Sequence, residues 1–167
     1  RQHPAKHTGA GFGVVQRGTL AAKGAILVAA SDTHGTITDS GGLDVARLIA
    51  HKQAGHPLDA YDLGTPLGRD DIVGVACDIW IPAARPDVLR VDNVERLQTR
   101  LVLQGANIPA TADAERRLHE RGILSIPDFI ANAGGVICAA VEYRGGSEPE
   151  ALAAIADKIR ANTTEML

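Results

Sequence analysis

Four short apolar runs, each closed by proline or a polar turn residue, oblige this chain to build a sheet covered on both faces. AILVAA at residues 25–30 is apolar throughout; a strand with one face in water would alternate instead. DIWI at 78–81 stops at Pro82, LVLQ at 101–104 runs on towards Asn107, and ILSI at 123–126 stops at Pro127 and Asp128. Helical patterns lie between the runs. Residues 43–54 place Leu43, Ala46, Ile49 and Ala50 on one face, with Asp39 or Ser40 in reach as a cap and Gly55 as a stop. A short helix is expected over 93–99. Thr111 can cap the next, whose Glu115, Arg116, Arg117, His119 and Glu120 crowd the outer side before Gly122 ends it. Residues 33–42 carry turn chemistry, and 55–69, with Pro57, Gly64, Pro66 and Gly68, read as a long connection.

Strand alternating with helix at this spacing gives βαβ units, hence an α/β, Rossmann-like doubly wound, mostly parallel sheet with helices on both faces. Right-handed crossovers then set Asp32, Pro82, Asn107 and Asp128 along one edge, where such sheets bind their ligands. After Gly145 and Gly146, SEPE at 147–150 is a capping box with proline in the first turn. The helix that follows sets Leu152, Ile155, Ala156 and Ile159 on a face that needs a cover.

Composition removes several function classes. The 167 residues have the size of one domain with its own core. A net charge of −3 offers no basic stripe for nucleic acid, and 3% aromatics leaves few rings on which bases could stack. No apolar run nears the roughly 20 residues that span a bilayer and no signal pattern is visible, so a cytoplasmic compartment is expected. Cys77 and Cys138 are too few for a disulfide framework and read as reduced core residues. Trp80 reads as core packing. His3 and His7 read as parts of a basic, disordered amino terminus, and His34, His51, His56 and His119 have no partner at zinc spacing; no metal is expected.

GFGVVQ at 11–16 keeps two of the three glycines of the dinucleotide fingerprint, with Gln16 at the third position. Asp32 follows Gly11 by 21 residues, close to the roughly 20 expected of an acid that bonds a ribose hydroxyl. The fingerprint also requires an apolar strand before Gly11, and RQHPAKHTGA at 1–10 does not look like a buried central strand. One reading keeps GFG as the phosphate turn. Another makes Val14, Val15 and Gln16 the remnant of the first strand, leaving the first βαβ unit incomplete. Asn107 and Asn132 have side chains that both donate and accept, as a nicotinamide carboxamide or a ribose requires; turn-forming asparagines at strand ends have the same look. Gly134 and Gly135 suit close backbone approach at a helix start.

Taken together, LVLQGAN at 101–107, IPAA at 81–84 and IPDFIANAGGV at 126–136 resemble the carboxyl-terminal domain of the Glu/Leu/Phe/Val dehydrogenases, glutamate dehydrogenase-like enzymes. The similarity runs from about residue 26 to 166. It implies a domain that binds NAD or NADP, with Gly11 and Gly13 facing the pyrophosphate and Asp32 the adenine ribose. Ala83 and Ala84 would line the cofactor cleft, and Asn107 and Asn132 would approach the nicotinamide end. In that family a lysine and an aspartate from a separate amino-terminal domain do the chemistry, and that domain holds the amino acid. Neither is recognisable here, so no catalytic residue is assigned. Gln104 stands where the family often has glutamate, and Ala139 where glutamate-specific members carry a serine, which weakens the case for glutamate itself.

On this resemblance, residues 1–167 form a dinucleotide-binding domain with a divergent start over 1–24 and a carboxyl-terminal helix over 147–167. The implied activity is oxidation at the CH–NH2 group of an amino acid, with release of ammonia and a 2-oxo acid. A full-length enzyme of this kind would be a homo-oligomer. Two alternatives stay open: a truncated, noncatalytic nucleotide-binding or interaction module, and another Rossmann oxidoreductase.

Overall fold

The computed structural model describes residues 6–10, 20 and 22–167, with Lys6–Ala10 described as backbone. Among these residues seven strands form one sheet: β1 (Lys6–Ala10), β2 (Ile26–Ser31), β3 (Thr36–Thr38), β4 (Thr65–Leu67), β5 (Ile79–Pro82), β6 (Leu101–Leu103) and β7 (Leu124–Ile126). Their spatial order is β4-β3-β2-β1-β5-β6-β7. The run from β2 through β1, β5 and β6 to β7 is parallel, while β3 and β4 extend it antiparallel on the β2 side. The helices are α1 (Val45–Gln53), α2 (Ala112–Glu120), α3 (Asp128–Ala131), α4 (Gly134–Tyr143) and α5 (Glu148–Met166). None among the described residues is long and apolar enough to cross a membrane.

The amino-terminal segment departs from its sequence reading. Residues 6–10 are neither disordered nor excluded from the sheet; they form a central strand, paired to β2 on one side and β5 on the other. The first described strand is KHTGA; residues 14–16, the other candidate, lie outside the described residues. Ladder hydrogen bonds are made by the main chain, so a polar sequence can occupy a central slot once both neighbours are in place. Pro4, the one proline of that segment, precedes β1 in sequence.

Two apolar clusters hold the sheet. Ala29, Thr8, Trp80 and Val102 lie in one register row across four strands. Ala29, Trp80 and Val102 share a cluster with Leu89, Leu97, Ala114 and Leu118, whereas Ala30 belongs with Leu27, Ile37, Leu48 and Leu58. Adjacent strand residues point to opposite faces, so the two clusters cover the two sides of β2. Trp80 is fully buried, as expected of a core residue, and its indole N–H donates to the Ile72 carbonyl at 3.2 Å. That bond removes the cost of an unpaired buried donor.

Helix ends followed the sequence in part. Thr111 caps α2 by accepting from Ala114 N, and the Ser147 N–H and hydroxyl both donate to Glu150 at the start of α5. The cap of α1 is Asp44, which accepts from Arg47 N at 3.0 Å, not Asp39 or Ser40. Starting the helix at Val45 turns Leu48 into the core and leaves Ala46 and Ala50 exposed. A similar rotation in α5 buries Ala151 and exposes Leu152 to 61%. The expected helix over 93–99 is a single 3-10 turn at Val94–Arg96. Neither cysteine is in a disulfide; Cys77 packs against the core, while Cys138 lies half-buried on α4.

Candidate functional site

Parallel strands β2, β5, β6 and β7 end at Ser31, Pro82, Leu103 and Ile126, and the residues that follow gather at their carboxyl edge. A cavity of about 460 Å³ opens between the ends of β2 and β5, lined in part by Asp32, His34, Lys52, Arg69 and Ala84. Ala84 faces this cavity; Ala83 instead packs over Gly105, at 3.3 Å from where a Cβ would stand.

Asp32 is held by its own chain. One carboxylate oxygen accepts from the N–H groups of His34 (2.9 Å) and Gly35 (3.3 Å). The other accepts from Lys52 Nζ at 2.6 Å and from Leu58 N at 3.0 Å. A carboxylate has about four lone-pair sites, so these donors fill it. Burial pushes the Asp32 pKa up, but the bonds from Lys52, His34 and Leu58 outweigh it and hold the carboxyl at about 2. The acid expected to reach for a ribose hydroxyl thus closes a turn, anchors Lys52 at the cavity and ties down the main chain at Leu58.

Beyond β6 and β7 the two asparagines meet: Asn132 Nδ2 donates to Asn107 Oδ1 at 2.7 Å. Gln104, buried to 2% exposure, organises this end. Its Nε2 donates to Glu115 (2.9 Å) and Ser125 (3.2 Å), and its Oε1 accepts from Asp128 N at 3.2 Å. Asp128 in turn accepts from Ile108 N at 2.8 Å, and the Ile108 carbonyl accepts from Asp87 N at 3.0 Å. Ile108 and Asp87 both adopt left-handed backbone, with φ of 46° and 51°. These bonds bind the loops after β5, β6 and β7 into one rim. Gly135, at the start of α4, has open space where a Cβ would stand, while Gly134 packs against Ile155 of α5. Gly11 and Gly13 lie outside the described residues; in sequence they follow directly on β1.

Lys52 and Arg69 escaped the sequence reading, and Gln104 was noted only for its place in the family pattern, not for its network. Lys52 stands in the last turn of α1, Arg69 follows an edge strand only three residues long, and a buried glutamine carries no local pattern. The supporting network needed the strand order before it could be seen.

The sequence profile of the Glutamate/Leucine/Phenylalanine/Valine dehydrogenases matches residues 9–163. The chain belongs to that family. It is 42% identical over 142 residues to glutamate dehydrogenase A2 of Halobacterium salinarum, a match covering 83% of this chain and 34% of that protein. It is 36% identical over 160 residues to the NADP-specific glutamate dehydrogenase of Saccharolobus shibatae, covering 89% of this chain and 37% of the relative. The chain thus spans about a third of the length of these relatives. Its fold is that of the hetero-hexameric glutamate dehydrogenase from Thermus thermophilus, with a TM-score of 0.81 at 22% identity, covering 95% of this chain and 39% of that one. The α/β, Rossmann-like class expected from the sequence is thereby established.

Proposed function

We propose that residues 1–167 form the carboxyl-terminal, dinucleotide-binding domain of an amino-acid dehydrogenase that acts on the CH–NH2 group with NAD or NADP as acceptor. The observation that supports it best is the convergence, at the carboxyl edge of the parallel strands, of an open cavity and the Asn107–Asn132 pair. The donor set suits a dinucleotide. The cavity of about 460 Å³ falls within the roughly 300–1,000 Å³ usual for ligand sites. The paired amides can donate and accept as a carboxamide does, and open space lies where a Cβ on Gly135 would stand.

In this reading Ala84 and the turn built on Asp32 form the wall at the adenosine end, with Ala83 supporting Gly105. Asn107 and Asn132 orient the nicotinamide end, and Gly11 and Gly13 face the pyrophosphate. When bound, the nicotinamide ring supplies the hydride acceptor. The chain's own part is to bind and orient; the amino acid and the groups that move its protons belong to a domain outside residues 1–167. The complete enzyme is a cytoplasmic homo-oligomer in this proposal.

Calorimetric titration of the chain with NAD+ and NADP+ tests the reading, and saturable binding of at least one is expected. With glutamate, leucine, valine or phenylalanine added, the chain alone is expected to form no reduced dinucleotide. Absence of dinucleotide binding would overturn the proposal and leave a noncatalytic module; turnover by the chain alone would overturn the division of labour.

A further inference from the structure

Asn107 and Asn132 meet on the rim through one side-chain bond, and such a bond follows the backbones that carry it. The loop of Asn107 is tethered towards β5 by its main chain. The Gly105 and Ala106 N–H groups donate to the Pro82 carbonyl at 3.0 and 2.9 Å. Asp87 N donates to the Ile108 carbonyl at 3.0 Å, and Leu89 N to the Pro109 carbonyl at 2.9 Å. None of these bonds reaches the segment after β7, where Asn132 stands.

Asp128 supplies that link. One of its carboxylate oxygens accepts from the N–H of Ile108, the residue next to Asn107, at 2.8 Å. The other accepts from Phe129 N at 2.7 Å. Its carbonyl accepts from Asn132 N, also at 2.7 Å. Its own N–H donates to Oε1 of the buried Gln104 at 3.2 Å. Asp128 is thus pinned to the core by its N–H, to one asparagine by its carbonyl and to the neighbour of the other by its carboxylate. That combination sets how far apart the two amides stand. Both carboxylate bonds are exposed, so the core does not depend on them. An ionised acceptor bonds a main-chain N–H more strongly than a neutral one, which suits it to hold a loop whose Ile108 is in left-handed backbone.

The geometry points to Asp128 as a positioning residue: it holds the Asn107–Asn132 pair in the arrangement that receives the nicotinamide end, and acts on the ligand only through them. The inference rests on the reading of the chain as a dinucleotide-binding domain. Calorimetry on the 167-residue chain with NAD+ and ADP-ribose separates the two; if only the 2′-phosphorylated dinucleotide binds, NADP+ and 2′-phospho-ADP-ribose take their place. ADP-ribose carries the adenosine and the pyrophosphate but no nicotinamide. Asp128→Ala is expected to weaken the dinucleotide about 3- to 10-fold, as preorganisation is lost, and to leave ADP-ribose affinity unchanged within about twofold. Because Asp128 acts through Asn107, adding Asp128→Ala to Asn107→Ala should weaken the dinucleotide no further. Should the alanine variant not fold, Asp128→Asn keeps the shape and one acceptor oxygen, and a smaller loss, again confined to the dinucleotide, is expected. Equal weakening of both ligands, or no change in either, would show that Asp128 serves the fold alone and overturn the assignment, as would additive losses in the double variant. If the parent chain binds neither dinucleotide, the cofactor reading falls and the role of Asp128 with it.

Discussion

Asn132 donates its side-chain N–H to the side-chain oxygen of Asn107 across 2.7 Å, although the two stand 25 residues apart and follow different strands. The bond leaves Asn107 its amide N–H groups and Asn132 its carbonyl oxygen to offer a ligand. Asn107 is exposed and Asn132 only half-buried, so the pair contributes little to the core. Asn107→Ala is accordingly expected to cost less than about 1 kcal/mol of stability while weakening dinucleotide binding about 3- to 10-fold. Urea melts and calorimetry on the same sample check both. Unchanged affinity would mean that the asparagines serve only to close the rim.

Asp32 makes a pH-dependent contribution to stability. Its carboxyl is held at about 2 against an ordinary value of 3.8. A lowered folded-state pKa stabilises above the unfolded value, and the gain is lost as pH falls through the folded one. The shift corresponds to about 2 kcal/mol, present above about pH 4 and gone near pH 2. In Asp32→Asn this part of the acid transition should flatten, and the variant should be less stable at neutral pH because Lys52 loses its buried partner. Denaturant melts over that pH range decide it; an unaltered profile would assign the acid sensitivity to other carboxylates.

The sequence made the central parallel strands and their polar ends legible because continuous apolar runs and abrupt proline or asparagine stops are local signals. It hid β3 and β4, whose TIT and TPL are too short to show any period, and it argued against β1, whose place is fixed by neighbours on both sides. The rotated faces of α1 and α5 have a common cause. Both helices are rich in alanine, which fits a buried or an exposed face equally, so the stripe is set by where the cap begins the helix. Asp32 was visible as a strand-end acid, but its four donors come from residues as far as 26 positions away. No spacing rule reveals that.

Gln104 supplies a charge test of the same network. Its Nε2 donates to Glu115, and Gln104→Glu would set a second carboxylate against the first in a buried place. The expected cost is about 1–3 kcal/mol at neutral pH. Protonation restores a donor, so the introduced group has a raised folded-state pKa and the deficit should shrink as pH falls. Chemical denaturation at pH 5 and pH 8 compares the variant with the parent. A deficit that is equal at both would show that Glu115 turns away and that the glutamine is held for its shape.

Ile108 tests whether the rim stores strain. It is β-branched, sits at φ 46° and leaves 66% of its surface exposed, so little burial offsets the unfavourable backbone. Left-handed backbone costs an L-residue about 1–2 kcal/mol, while glycine carries an entropic penalty of about 0.5–1 kcal/mol. Ile108→Gly should therefore be as stable as the parent or more so by up to about 1 kcal/mol, and Ile108→Val, which keeps the branch, should gain nothing. Binding should move the other way. Ile108 is tied on one side to Asp128 and on the other to Asp87, and a glycine there loosens the loop that carries Asn107, so dinucleotide affinity is expected to fall a few-fold as preorganisation is lost. A stability gain with weakened binding would mean that the strained residue is retained for the site. Loss of more than about 1 kcal/mol on Ile108→Gly would show instead that the exposed side chain packs against something the fold needs.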